Sequence, residues 1–130
     1  MSTITLLIHT IMNESKQLIQ QIIEGIQEKK GKKIDWVDLT HIHEAICNHF
    51  IICQGESPTQ VSAIVDSIKE FARKGADAKP LAVDGLRNAE WVAIDFADVM
   101  VHVFLPETRA FYDLEHLWED AKLTQIPDLD

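Results

Sequence analysis

Apolar residues recur at helical spacing near the start of the chain. They follow Asn13 or Ser15, either of which is a candidate N-cap, and they are Leu18, Ile19, Ile22, Ile23 and Ile26. Residues three and four apart share one face of a helix, so this stretch predicts an amphipathic helix over residues 14–30, closed by basic residues and Gly31. Because Met12 directly precedes the polar run, we expect residues 1–12 to be an extension outside the compact fold.

A second helical pattern begins at Ser57 with the strongest local sequence features of the chain. Ser57 as N-cap, Pro58 at the first helical position and Gln60 three residues after the cap form a capping box. The apolar positions that follow are Val61, Ile64, Val65, Ile68 and Phe71. This pattern predicts an amphipathic helix that ends at Gly75.

Short runs rich in β-branched and aromatic residues predict strands. They are KIDWVDL, HFIIC, KPLAVDG up to Gly85, and two runs within EWVAIDFADVMVHVF. A last helix is predicted over PETRAFYDLEHLWEDA, starting near Pro106, and its apolar face would be Phe111, Leu114, Leu117 and Trp118. This order predicts an α/β fold: a single domain over residues 13–122 with a mixed sheet of about five strands flanked by helices, and a loose tail over residues 123–130.

The stretch from Trp91 to Phe104 separates into two faces if Ala97 and Asp98 form the turn of a hairpin. One face is wholly apolar and predicts core: Val92, Ile94, Phe96, Val99, Val101 and Val103. The other mixes aromatic, acidic and imidazole groups: Trp91, Ala93, Asp95, Met100, His102 and Phe104. This second face is either a candidate protein-binding face or a surface that a helix covers permanently.

Charge narrows the classes of partner. The formal net charge is −9, and residues 81–130 carry 3 basic and 11 acidic groups. Such a surface repels phosphates, so it disfavours direct nucleic-acid binding and favours a basic protein partner. Two cysteines are too few for a disulfide framework and indicate the cytoplasm, and no apolar run reaches the about 20 residues that a membrane span needs.

Three clusters of chemically active residues are alternatives to protein binding. His41, His43, Cys47, His49 and Cys53 are all side chains that zinc accepts, although their spacing matches no paired ligand scheme. Gly55 and Ser57 stand before a helix, where phosphates bind, but Asp84 is the single carboxylate of the next strand. His102 could act as a general base oriented by Asp95. Each cluster also has a simpler structural interpretation as a loop, a cap or a strand residue.

The segments DWVDL, HFIICQGESPTQVSAI and KPLAVDGLRNAEWVAIDFADVMVHVFLPETRAFYDLEHLWED occur in one collinear order. Together they resemble the ribosomal silencing factor family, also called the RsfS or Iojap family. The resemblance implies a non-catalytic protein, without a cofactor and homodimeric, that binds the fourteenth protein of the large ribosomal subunit. By occupying that surface it would block joining of the small subunit and repress translation. The implied fold is similar to the nucleotidyltransferase superfold.

The resemblance also implies which residues contact the partner. They are Trp91, Phe96 and His102, with Asp95 and Asp98 nearby. This chain has Ala97 where the family usually has glycine, and CNHF where Thr-Asp-Tyr-Phe is common. The alternative function is a nucleotidyltransferase-like enzyme that uses the helix start at Gly55 and Ser57.

Overall fold

A computed structural model of the chain describes residues 3–42, 45–118 and 120–129. The helical elements are α1 (Thr3–Glu28), α2 (Pro58–Ala76), α3 (Pro106–Tyr112) and a 3-10 turn (Leu114–His116). The strands are β1 (Lys32–Asp38), β2 (His49–Gln54), β3 (Ala82–Asp84), β4 (Trp91–Asp95), β5 (Val99–Phe104) and β6 (Lys122–Ile126). The predicted mixed α/β domain is confirmed, but the described residues hold six strands, where about five were predicted.

All six strands form one sheet in the order β3-β4-β5-β2-β1-β6. The central pair, β2 and β5, is parallel, and the other neighbouring strands are antiparallel. The additional strand is β6, which pairs with β1 from Ile126 opposite Ile34 to Lys122 opposite Asp38. The prediction of a loose tail after Lys122 is therefore wrong for this segment, because its backbone hydrogen-bonds along the edge of the sheet.

Helices α1 and α2 pack against each other on one face of the sheet, and the main core lies beneath them. The buried helix residues include the predicted positions Leu18, Ile19, Ile22, Ile26, Val61, Ile64, Val65 and Ile68. They meet the apolar face of the β4–β5 hairpin: Val92, Ile94, Phe96, Val99, Val101 and Val103. The helical and two-residue periodicities thus predicted both sides of this core correctly.

The helix ends differ from those predicted. Helix α1 begins at Thr3 instead of after residue 13, so that predicted start is wrong, while the placement of residues 1–12 outside the compact fold stays a prediction. The cap of α2 is confirmed, because the N–H of Gln60 donates to Ser57 Oγ over 3.1 Å. Its end is not at Gly75: the helix continues to Ala76, and Asp77 takes the left-handed conformation with φ 49°.

The last helix is shorter than predicted. Helix α3 ends at Tyr112 because Asp113 adopts a left-handed conformation with φ 46°, which ends the α-helical geometry. After this break, Leu114 and Trp118 pack on the sheet, whereas Phe111 points outward with 82% of its surface exposed. The predicted single apolar face containing Phe111 is therefore wrong.

The hairpin register is confirmed at every predicted pair from Trp91 opposite Phe104 to Asp95 opposite Met100. At the turn, the N–H of Phe96 donates to the carbonyl of Val99 over 2.9 Å, and the N–H of Asp98 donates to the carbonyl of Phe96 over 3.0 Å. Ala97 lies between these bonds with φ 71°. Ala97 therefore adopts a positive φ, a backbone conformation in which glycine is usually found.

Ala97→Gly is expected to raise the free energy of unfolding by about 0.5–1 kcal/mol. Glycine removes the strain of a Cβ at positive φ, and its more flexible unfolded chain offsets part of the gain. Ala110→Gly, at an exposed position of α3, is the matched control and is expected to destabilise by about 0.5–1 kcal/mol. Urea unfolding of both variants checks the opposite signs, and destabilisation by Ala97→Gly would contradict the turn conformation.

Candidate protein-binding site

The sheet face opposite α1 and α2 carries the mixed side chains that alternation predicted. We call it the second face, and its hairpin residues are Trp91, Ala93, Asp95, Met100, His102 and Phe104. Leu114 and Trp118 pack over part of it, and Phe104 and His102 are buried. Trp91 and Asp95 remain half-buried. The second face is thus covered in its centre and open along the side that carries Trp91.

Trp91 and His102 form a hydrogen-bonded pair within this face. The indole Nε1–H of Trp91 donates to Nδ1 of His102 over 3.0 Å. Nδ1 must then supply a lone pair, so the imidazole proton is on Nε2, which is buried without a hydrogen-bond partner among the described residues. Burial lowers the pKa of His102 to about 4, which keeps the ring neutral and able to accept at pH 7.

Aromatic rings fix the orientation of the Trp91 indole. It stacks on Phe104 with ring centroids 5.0 Å apart and an interplanar angle of 25°. Tyr112 of α3 lies on its outer side at 4.8 Å. Below it, His102 meets the ring of Phe50 in a T-shaped contact at 5.0 Å. These contacts hold the indole in one orientation, so little of its side-chain freedom would be lost if this face bound a partner.

Lowering the pH from 7 to 5 is expected to destabilise the protein by about 2 kcal/mol through His102 alone. The folded-state pKa is depressed, so the unfolded chain takes up the proton first, and stability falls as the pH drops from about 6.5 towards 4. His102→Gln can still accept from the indole but does not titrate. Between pH 7 and pH 5 the variant should therefore lose about 2 kcal/mol less stability than the parent protein, as measured by urea unfolding. An identical pH dependence of both proteins would contradict this assignment.

Of the three other predicted partner residues, Asp95 shares a face with Trp91 and His102, and Phe96 does not. Phe96 lies on the opposite side of the sheet, in the core beneath the helices, as the predicted pairing required. Asp95 is on the second face, where its Oδ1 accepts from the N–H of Ala97 over 2.7 Å. The structure thus brings Trp91, His102 and Asp95 to one face and separates Phe96 from them.

Asp98 fixes the end of the hairpin to two other segments. Its carboxylate accepts hydrogen bonds from the hydroxyl of Ser15 in α1 and from the side-chain amide of Asn48. Its backbone carbonyl also accepts from the N–H groups of Asn48 and His49, over 3.0 and 3.1 Å. Asp98 therefore holds the turn in place, and both of its carboxylate oxygens already have partners.

A buried ion network beside the second face was missed at the sequence level. Arg109 of α3 is only 7% exposed. Its Nη2 lies 2.8 Å from Asp35 Oδ2 and its Nε lies 3.2 Å from Glu115 Oε1, while Nη1 donates to the carbonyl of Lys33 over 2.6 Å. The one available signal was Asp35, an acidic residue between the apolar Ile34 and Trp36 of β1, where a buried carboxylate needs a cation from elsewhere in the chain.

The candidate metal ligands do not form a cluster among the described residues. Cys47 and Cys53 are buried, and burial raises the pKa of their thiols to about 11 and about 12. Nδ1 of His49 accepts from the indole of Trp36 over 3.1 Å, and His43 lies outside the described residues. Within residues 3–42, 45–118 and 120–129, no three His, Cys, Asp or Glu side chains are placed to share a metal ion.

The candidate phosphate site is partly occupied by the protein's own side chains. The hydroxyl of Ser57 accepts from the N–H of Gln60, and Oε1 of Gln60 accepts from the N–H of Glu56 over 2.7 Å. These bonds engage the N–H groups of Glu56 and Gln60, two of the donors at the start of α2 that an anion would use. Over the described part of the chain, no helix combines the length and apolar character needed to cross a membrane.

Known proteins with similar sequences identify the family of this chain. A family model described as "Ribosomal silencing factor during starvation" matches residues 12–130. The chain belongs to the ribosomal silencing factor family. It is 36% identical over 113 residues to the ribosomal silencing factor RsfS of Halalkalibacterium halodurans, which covers 86% of this chain and 94% of that protein. The family membership inferred from sequence is confirmed.

Two further comparisons agree with the assignment to the ribosomal silencing factor family. The chain is 35% identical to RsfS of Bacillus subtilis, over 88% of this chain and 95% of that one. The fold is similar to the crystal structure of a Chromobacterium violaceum protein, with a TM-score of 0.75, 32% identity and coverage of 82% and 88% of the two chains. The likeness therefore extends over most of the domain in both sequence and structure.

Proposed function

We propose that the protein is a ribosomal silencing factor that binds the fourteenth protein of the large ribosomal subunit and blocks joining of the small subunit. The observation that carries the proposal is Trp91, a half-exposed aromatic side chain held by the buried His102 and stacked on Phe104. A large, immobilised aromatic group of this kind is typical of residues that dominate binding energy at protein interfaces. Membership of the ribosomal silencing factor family supports the ribosome as the target.

The charge distribution supports a basic protein partner. Residues 81–130 contain three basic side chains, and one of them, Arg109, is buried in the ion network. The surface contributed by residues 81–130 is therefore strongly acidic. Such a surface accelerates encounter with a basic ribosomal protein and disfavours contact with the surrounding RNA phosphates.

Within the proposed interface, the predicted residues have different roles. Trp91 contacts the partner, and Asp95 lies at the edge of the same face. His102 acts as a positioning residue, because it is buried beneath the indole that it holds. Phe96 and Asp98 act indirectly, by fixing the shape of the hairpin end. Phe96 packs in the core, and Asp98 accepts a hydrogen bond from Ser15.

The remaining parts of the proposal concern chemistry, assembly and location. We propose that the protein is not an enzyme and needs no cofactor, that it acts in the cytoplasm as a homodimer, and that its fold is similar to the nucleotidyltransferase superfold. The alternative, an enzyme using Gly55 and Ser57, predicts binding of a nucleotide with magnesium. A calorimetric titration with nucleotide and magnesium separates the two, since heat of binding would favour the alternative.

Sedimentation with isolated ribosomal subunits tests the proposed target. The protein should co-sediment with purified large subunits and stay in the supernatant with purified small subunits. Large subunits in which the fourteenth protein is masked by a specific Fab fragment serve as the control and should not retain it. Equal retention on masked and unmasked subunits would contradict the proposed binding partner.

A further inference from the structure

A groove lies beside Trp91, between the loop before β4 and helix α3. Its volume is about 460 Å³, and its aromatic lining consists of Trp91, Phe111 and Tyr112. Tyr112 contacts the other two rings, at centroid distances of 4.8 Å to Trp91 and 5.0 Å to Phe111. The three rings therefore form one continuous aromatic wall that extends the second face onto α3.

The outer part of this wall is largely exposed. Phe111 is 82% exposed and Tyr112 is 50% exposed. The left-handed residue Asp113 ends α3 directly after them and turns the following residues back onto the sheet. Because an exposed aromatic pair beside a half-buried tryptophan leaves a contiguous apolar surface in water, it is typical of a binding site.

Two glutamates and one arginine line the groove beside the aromatic wall. Glu90 and Glu107 line the groove and are exposed, and the cation that lines it with them is Arg87. Aromatic faces attract cations, and carboxylates at the rim add a direct charge interaction. The groove is therefore suited to a positively charged side chain with a flat or extended apolar part.

We propose that this groove binds an arginine side chain of the same ribosomal protein, so the inference rests on the proposed function. The planar guanidinium stacks on the aromatic wall while Glu90 or Glu107 accepts its N–H groups, a combination that the point charge of lysine does not offer. A second copy of the chain fits this groove less well, because residues 81–130 carry only 3 basic against 11 acidic groups, so the proposed homodimer would form through another surface.

Binding of purified large ribosomal subunits to Phe111→Ala and Glu107→Lys variants tests the groove. Each variant should raise the dissociation constant by about tenfold or more. The effect of Glu107→Lys should shrink at high salt, whereas that of Phe111→Ala should persist. Ile46→Ala is the matched control: Ile46 is 74% exposed, next to the Asn48 segment at the opposite end of the hairpin, and its replacement should leave affinity unchanged.

The outcomes distinguish this inference from the proposed function. If the parent protein binds large subunits and both groove variants bind equally well, the groove is not part of the interface and the inference is wrong. The same holds if Phe111→Ala changes only self-association, measured by analytical ultracentrifugation. If the parent protein itself fails to bind large subunits, the proposed function is wrong and the groove inference is overturned with it.

Discussion

Replacing Arg109 with alanine is expected to lower the free energy of unfolding by about 3–5 kcal/mol. The guanidinium lies 2.8 Å from Asp35 and 3.2 Å from Glu115, and about nine-tenths of each of the three side chains is buried. The variant would leave two buried carboxylates without their counter-charge. Urea unfolding at neutral pH measures the loss, and Arg87→Ala, at an exposed position, should change stability by less than about 0.5 kcal/mol.

The pH dependence of the same variant provides an independent check. Burial raises the pKa of Asp35, and the attraction of Arg109 opposes this effect without cancelling it. Because the unfolded chain ionises Asp35 more readily, the free energy of unfolding falls as the pH rises towards the folded-state pKa of this carboxyl. Without Arg109 that fall is larger, so the deficit of the variant should be greatest at neutral pH and smaller in acid. A deficit that is below about 1 kcal/mol, or independent of pH, would contradict the role of the network.

Trp91→Ala is expected to weaken binding to purified large subunits by about 30-fold or more, equivalent to about 2 kcal/mol. The substitution removes the aromatic group that we place against the partner. It also leaves Nδ1 of His102 without its donor, so stability must be measured alongside affinity. Measuring co-sedimentation with large subunits well below the melting temperature of the variant separates the loss of affinity from the loss of stability.

Trp36→Ala is a closely matched control for this experiment. Trp36 is also half-buried and donates its indole N–H to a histidine, His49, over 3.1 Å, but it packs on the helix side of the sheet. The two variants should lose similar stability, and Trp36→Ala alone should retain affinity for large subunits. Equal affinity of folded Trp91→Ala and the parent protein would remove Trp91 from the interface.

The elements that could be predicted from sequence are those whose determinants are local. Ser57, Pro58 and Gln60 predict the start of α2 because the capping box is complete within four residues. The hairpin register followed from alternation, since a shift of one residue would have moved Val92 and Ile94 out of the core. The same argument correctly placed Trp91 and His102 on one face and Phe96 on the other.

The features that sequence did not predict depend on contacts between distant segments. β6 is a strand because β1 offers it an open edge, and its own residues are largely exposed. Arg109 and Asp35 are 74 residues apart, so neither identifies its partner from local sequence. The break of α3 at Asp113, which exposes Phe111, rests on a left-handed conformation that aspartate adopts only in some contexts.

A subunit-joining assay with purified ribosomal subunits tests the central claim most directly. Large subunits preincubated with a saturating amount of the protein should fail to form complete ribosomes when small subunits are added, as seen in sucrose-gradient profiles. Trp91→Ala should restore joining at the same concentration, and Trp36→Ala should inhibit like the parent protein. Unchanged joining in the presence of saturating parent protein would contradict the proposal that the second face silences the ribosome.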